Sequence, residues 1–103
     1  MIQIRALKTG ESYFLKIRGH ANHKKDGDIV CAAVSSLYFA LLSFLETDDG
    51  VIKLQSREEE GLGKLSFTGR GHSHGAFKMA IEGFTLLQRN FPKNVKVIFK
   101  ERV

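Results

Sequence analysis

"DIVCAAVSSLYFALLSFLE", residues 28–46, is apolar almost all the way round a helical wheel, so it has no wide face to give to water. A segment of that kind is a helix packed into a core. Its nineteen residues would also reach across a bilayer by length, but Ser35, Ser36 and Ser43 and the lack of flanking basic clusters argue for a buried helix and against a membrane span. The rest of the chain must then supply a surface that covers it. "IQIRALK" alternates Ile2, Ile4 and Ala6 against Gln3, Arg5 and Lys8, and "SYFLKIRG" repeats the alternation with Tyr13, Leu15 and Ile17. Thr9, Gly10 and Glu11 make the turn of this first hairpin. Beyond the helix and a "TDDG" turn, Val51–Arg57 and Leu62–Thr68 form a second hairpin. From Ala76 to Asn90, Phe77, Ala80, Ile81, Phe84, Leu87 and then Phe91 recur at spacings of three and four, which predicts a one-sided helix stopped by Pro92. "NVKVIFKE" closes the chain as a strand. The predicted fold is α+β, in the order β-β-α-β-β-α-β. A mostly antiparallel five-stranded sheet carries two helices on one face, and residues 1–103 form one domain.

Composition narrows the function classes. At 103 residues with 43% hydrophobic and 26% charged side chains, the chain supports a real core and is unlike a disordered segment. One cysteine forbids an intrachain disulfide and suits a reducing compartment. "MIQIRALK" has neither a long apolar core nor a small-residue cleavage site, so the expectation is no signal peptide and a cytoplasmic protein. A formal charge of +5 and a pI near 9.6 favour acidic partners. The cations are spread over every element, however, so direct nucleic-acid binding is possible but not the favoured reading, and a solvated basic surface is the blander one.

The chemistry concentrates in "GHANHKKDGDIVCAA", residues 19–33, which holds the single cysteine and two of the four histidines. His20 ends the second strand. Asp28 stands where a helix cap belongs, which would make Cys31 the third residue of the first turn, among free N–H groups and the positive end of the helix dipole. A thiolate is electrostatically favoured in that setting. On the residues alone, the commoner reading of Cys31 is a small buried hydrophobe, with His20 a strand end and Asp28 no more than a cap. The spacing does not choose.

His72 and His74 form a second constellation. His-x-His could hold zinc, completed by His20, His23 and Asp26, yet "GRGHSHGA" reads more simply as a glycine-rich turn with Ser73 capping the next helix. No metal and no cofactor is expected. The "REEEG" run, residues 57–61, reads as a hydrated hairpin tip.

"GHANHKKDGDIVCAAVSSL" resembles the signature of the ribosomal-processing cysteine proteases, the Prp family: a Gly-His-Ala strand end, a variable loop, then Gly-x-Asp-Ile-Val-Cys-Ala-Ala-Val-Ser. Gly19, His20 and Ala21 match the first part, and Asp28 to Ser35 the second, with Gly27 directly before Asp28 and no residue between them. The element order is similar over essentially the whole chain. The resemblance implies a homodimeric endopeptidase that removes the short N-terminal extension of the twenty-seventh large-subunit ribosomal protein, with Cys31 as nucleophile and His20 as general base and acid. It also implies a loop of Asn22, His23, Lys24, Lys25, Asp26 and Gly27 that gates the substrate. Asp28 would orient His20 or cap the helix. Ser35, one turn beyond Cys31, would orient a polar partner or bond back to the Cys31 carbonyl, the second being preferred. The peptide extension is the expected partner, with no membrane involved. The alternative is a non-catalytic ribosome- or RNA-associated binding module.

Overall fold

The computed structural model describes residues 1–20 and 25–103, the side chains of 25–28 excepted. Seven elements follow in the expected order: β1 (Ile2–Thr9), β2 (Ser12–Arg18), α1 (Lys25–Thr47), β3 (Ile52–Glu59), β4 (Leu62–Thr68), α2 (His72–Asn90) and β5 (Val95–Arg102). The five strands make one sheet in the order β3-β4-β2-β1-β5. Three neighbouring pairs are antiparallel. The fourth, β1 with β5, is parallel and in register from Ile2 opposite Val95 to Thr9 opposite Arg102. The sheet is therefore mixed. The parallel edge arises because β5 is reached through α2, and a helix crossover returns the chain in the direction of its starting strand.

Period-two alternation sorts the strands as predicted. Ile2, Ile4 and Ala6 of β1, Tyr13, Leu15 and Ile17 of β2, and Leu65 and Phe67 of β4 point to one side and are buried. Both helices cover that side. α1 lays Val30, Val34, Tyr38, Leu41, Leu42 and Leu45 onto it, and α2 adds Phe77, Ala80, Ile81 and Phe84. Phe77 is the hub: its ring lies 4.9 Å from Tyr13, 6.1 Å from Phe67 and 6.1 Å from Phe99, while Tyr13 and Phe67 stack at 4.5 Å. Such contacts add to area burial through ring electrostatics. α1 thus meets the sheet along one stripe, although by length and composition it would also pass for a membrane span.

Two helix starts differ from the sequence expectation. α1 begins at Lys25, so Asp28 lies within its first turn instead of capping it, and Cys31 is in its second turn. Lys25, Asp26 and Gly27, expected in the gating loop, are helical; Asn22, His23 and Lys24 lie outside the described residues. Burial of the long apolar face downstream outweighs the roughly 1 kcal/mol that Gly27 costs a helix. α2 begins at His72, four residues before Ala76. Its cap position is Gly71, in the left-handed region at φ 69°, and no side chain caps it. Ser73 is buried and donates to the Arg70 carbonyl at 3.3 Å, so it serves the turn and not the cap.

Candidate active site

β2 delivers His20. Its strand ends at Arg18, and Gly19 adopts φ 105°, where a side chain would be strained and where a Cβ would stand 2.4 Å from the Met1 carbonyl oxygen. The backbone beyond is held from two sides. Gly19 donates its N–H to the Gly61 carbonyl at 2.9 Å, and the amino-terminal ammonium of Met1 donates to the His20 carbonyl at 2.8 Å. The imidazole lies over the β3–β4 turn. A Cβ on Gly61 would fall 2.6 Å from His20 Nε2, and Gly61 itself sits at φ 71°. The turn therefore needs glycine both for its own backbone and for the ring above it.

α1 delivers the rest. Cys31, Val34, Ser35 and Tyr38 recur at helical spacing and share one stripe, and all four line a single cavity of about 260 Å³ together with His20. Cys31 is partly buried against the core, whereas His20 and Ser35 are exposed. Ile2, Ile17 and Phe39 give the cavity apolar walls, and Phe39 is 52% exposed at its rim. The tip of the β3–β4 hairpin supplies the remaining side through Glu58, Glu59 and Gly61.

Tyr38 ties helix to hairpin. Its hydroxyl donates to Glu58 Oε2 at 2.7 Å and lies 3.0 Å from the Lys64 carbonyl oxygen, and its ring faces Gly63, where a Cβ would come within 3.2 Å of it. Burial, then the hydrogen bond and negative charge of Glu58, push the Tyr38 phenol well above its ordinary range, so the hydroxyl remains a donor. Sequence reading missed this. Tyr38 is seven residues from Cys31, two turns along the same face, and that spacing was the available signal. The "REEEG" run is likewise more than a hydrated tip: Glu58 and Glu59 end β3, and only Glu60 and Gly61 form the turn.

The structure thus brings His20, Cys31 and Ser35 to one cavity. Among the described residues the hydroxyls that bond back along a helix are those of Thr47 and Thr85, and Ser35 lines the cavity without a bond to the Cys31 carbonyl. With Cys31 in the second turn, the four free N–H groups of α1 belong to residues ahead of it, so its own N–H is spent inside the helix. His72 and His74 turn to separate partners: His72 Nδ1 is 3.7 Å from Asp48 Oδ1, and His74 Nδ1 is 2.9 Å from the Tyr13 hydroxyl.

Comparison with solved structures finds the same architecture in SMU.848 from Streptococcus mutans, at 27% identity and a TM-score of 0.78 over 99% of each chain. The ribosomal processing protease Prp from S. aureus, solved with a covalently linked product peptide, superposes with a TM-score of 0.78 at 17% identity, covering 97% of this chain and 100% of that one. The same S. aureus enzyme with a substrate peptide gives 0.77 at 15% identity over the same shares, 97% and 100%. At those two identities the likeness speaks for the fold alone. No curated protein sequence matches the chain. The family model of the cysteine protease Prp, in contrast, matches residues 1–96, nearly the whole length and both halves of the histidine and cysteine signature, and the chain belongs to that cysteine protease family.

Proposed function

We propose that this cysteine protease is an endopeptidase of ribosome biogenesis, and that it removes the short N-terminal extension of the twenty-seventh large-subunit ribosomal protein. The observation that carries the reading is the cavity shared by His20 and Cys31, open to solvent and walled by apolar side chains. The S. aureus Prp structures with substrate and product peptides support a peptide as the ligand. An extended segment with aromatic residues around the cleaved bond suits the walls formed by Ile2, Ile17 and Phe39.

His20 and Cys31 act as a dyad. His20 takes the thiol proton, the sulfur attacks the scissile carbonyl, and the tetrahedral intermediate collapses as His20 returns the proton to the leaving amine. Water, activated by the same imidazole, then releases the acyl group and restores the thiol. Ser35, on the same helix and lining the same cavity, serves as a positioning residue for this pair; the side chain of Asp28, expected to orient His20 or cap the helix, lies outside the described residues. Tyr38 and Glu58 hold the hairpin against the helix, so that the turn beneath His20 keeps its place.

The working form is a homodimer. Between the helices, Leu37, Ala40, Leu41, Phe44, Ala76 and Met79 line an open apolar groove of about 770 Å³, and Met79 is 72% exposed. An apolar patch of that kind on a small domain favours a partner surface, and a second copy is the one proposed here. The cytoplasm is its compartment, where a single reactive thiol stays reduced.

A peptide copying the ribosomal extension, followed by mass spectrometry, tests the reading. Wild type cuts at one bond, Cys31→Ala and His20→Ala each lose at least about 1,000-fold, and both variants keep the wild-type circular dichroism. A Cys31→Ala protein that still cuts would end the proposal. In sedimentation, Met79→Glu shifts the dimer to monomer.

A further inference from the structure

The sheet face turned away from the helices carries an arrangement that peptide cleavage does not use. Strand alternation places Arg5 and Lys16 on that face, directly opposite each other. Lys16 in turn is opposite Lys64, and Lys64 is opposite Arg57. The result is an unbroken row of cations across four neighbouring strands. At about 4.8 Å between strands, the row is roughly 14 Å long. Arg18 stands two residues along β2 on the same side, and Lys96 and Lys100 extend the charge along β5. Glu59 is the acid on this face and is paired with Arg57. Among the described residues, Arg5, Lys16, Arg18 and Lys64 have no ion-pair partner.

Like charges directly opposed across strands destabilise a sheet. A row of them is therefore a cost to the isolated fold that a polyanion would reverse. Gln3, Arg5, Lys16 and Arg18 also border a shallow depression of about 190 Å³. Beside it, Phe14 is partly exposed, two residues along β2 from Lys16 on the same face and opposite Ser66. Phosphates fit the row, a base fits the ring, and the Gln3 amide and Ser66 hydroxyl are within the same face to meet a ribose hydroxyl. We infer that the open face of the sheet binds single-stranded RNA. A flat sheet has no element to enter a duplex groove. Phe14, Leu62 and Ile98 are each only partly exposed between the cations, and Leu7, 36% exposed, is the apolar side chain that stands out most beside them, too few for the continuous apolar face of a membrane-surface protein.

The depression bordered by Gln3, Arg5, Lys16 and Arg18 shares no lining residue with the dyad cavity, and so gives the protease a means of holding RNA while the cavity engages a peptide. Fluorescence anisotropy with a labelled mixed-sequence 20-nucleotide RNA tests it. Wild type binds at 50 mM KCl, and log affinity falls against log salt with a slope of about −3, the value for four phosphates on a single strand. Arg5→Gln combined with Lys16→Gln weakens binding at least about 10-fold and flattens the slope by about 1.4. Lys64→Gln acts in the same direction. The matched-charge control, Arg89→Gln with Lys93→Gln, stays within about twofold of wild type. Cleavage of a free peptide is unchanged in all of them, which also reports that they fold. The proposal is overturned if wild type does not bind RNA at 50 mM KCl or if the control loses as much as the face variant. It fails equally if single-stranded DNA binds as tightly as RNA, or if phosphatidylglycerol vesicles are bound through these cations while RNA is not.

Discussion

The two faces of the sheet are built from the same strands, whose residues alternate between them, and they solve opposite problems. On the inner face Ile4 opposes Ile17 and Ala6 opposes Leu15, and their burial under two helices drives folding. On the outer face Arg5 opposes Lys16 and Lys16 opposes Lys64, and no helix among the described residues covers them. The contrast teaches that stability resides on one side and interaction on the other. The cavity lies at the end of the inner face, where α1 stops covering the sheet and the β3–β4 tip comes within reach.

Substitutions sharpen that contrast in order of size. Phe77→Ala removes the ring that joins β2, β4 and β5, and should cost about 3–5 kcal/mol in urea unfolding. A loss under about 1 kcal/mol would break the assignment of stability to the inner face. Gly61→Val is next. It strains a turn at φ 71° by about 1–3 kcal/mol and pushes the imidazole of His20 aside, so cleavage should fall further than stability does. Full activity in that variant would separate His20 from the turn. Tyr38→Phe removes a hydroxyl bonded to Glu58 and should cost about 1 kcal/mol at neutral pH.

The same tyrosine fixes a pH signature. Its phenol titrates higher in the folded chain than in the unfolded one, so between the two values the folded state holds the extra proton and stability falls as pH rises. The contribution is complete below about pH 10, the unfolded value, and declines above it. Tyr13, raised by burial and by Glu101 and Glu11, acts in the same direction. Melting followed from pH 8 to 11 should show Tyr38→Phe losing less than wild type. The smallest effect has the opposite sign. Lys16→Gln relieves two cross-strand repulsions and should raise stability by about 0.2–1 kcal/mol, most visibly at low salt.

How much was legible beforehand differs between these regions for physical reasons. Alternation in β1 and β2 is local, and it named the buried residues correctly. The apolar length of α1 announced a helix on the core but overstated its burial: one stripe is covered, while Ile29, Phe39 and Phe44 are 51%, 52% and 40% exposed. Its first residue was not legible, because Asp28 is a good cap in isolation while the energy that extends the helix to Lys25 comes from packing farther along. The pairing of β5 with β1 was hidden because Val95 and Ile2 are joined by no short turn. For the site, the signature around His20 and Cys31 was readable as a motif. Tyr38, Glu58 and Gly61 were not, since they belong to three elements that meet only in space.

The sequence by itself determined the elements, their inward faces and the membership of the cysteine and histidine in one signature, because periodicity and short motifs are properties of neighbouring residues. Tertiary structure alone decided that the β3–β4 turn supports the imidazole, that one edge of the sheet runs parallel, and that scattered lysines and arginines line up into one row. Each of those depends on register between strands distant in the chain, and register is set by the packing of the whole sheet against its helices.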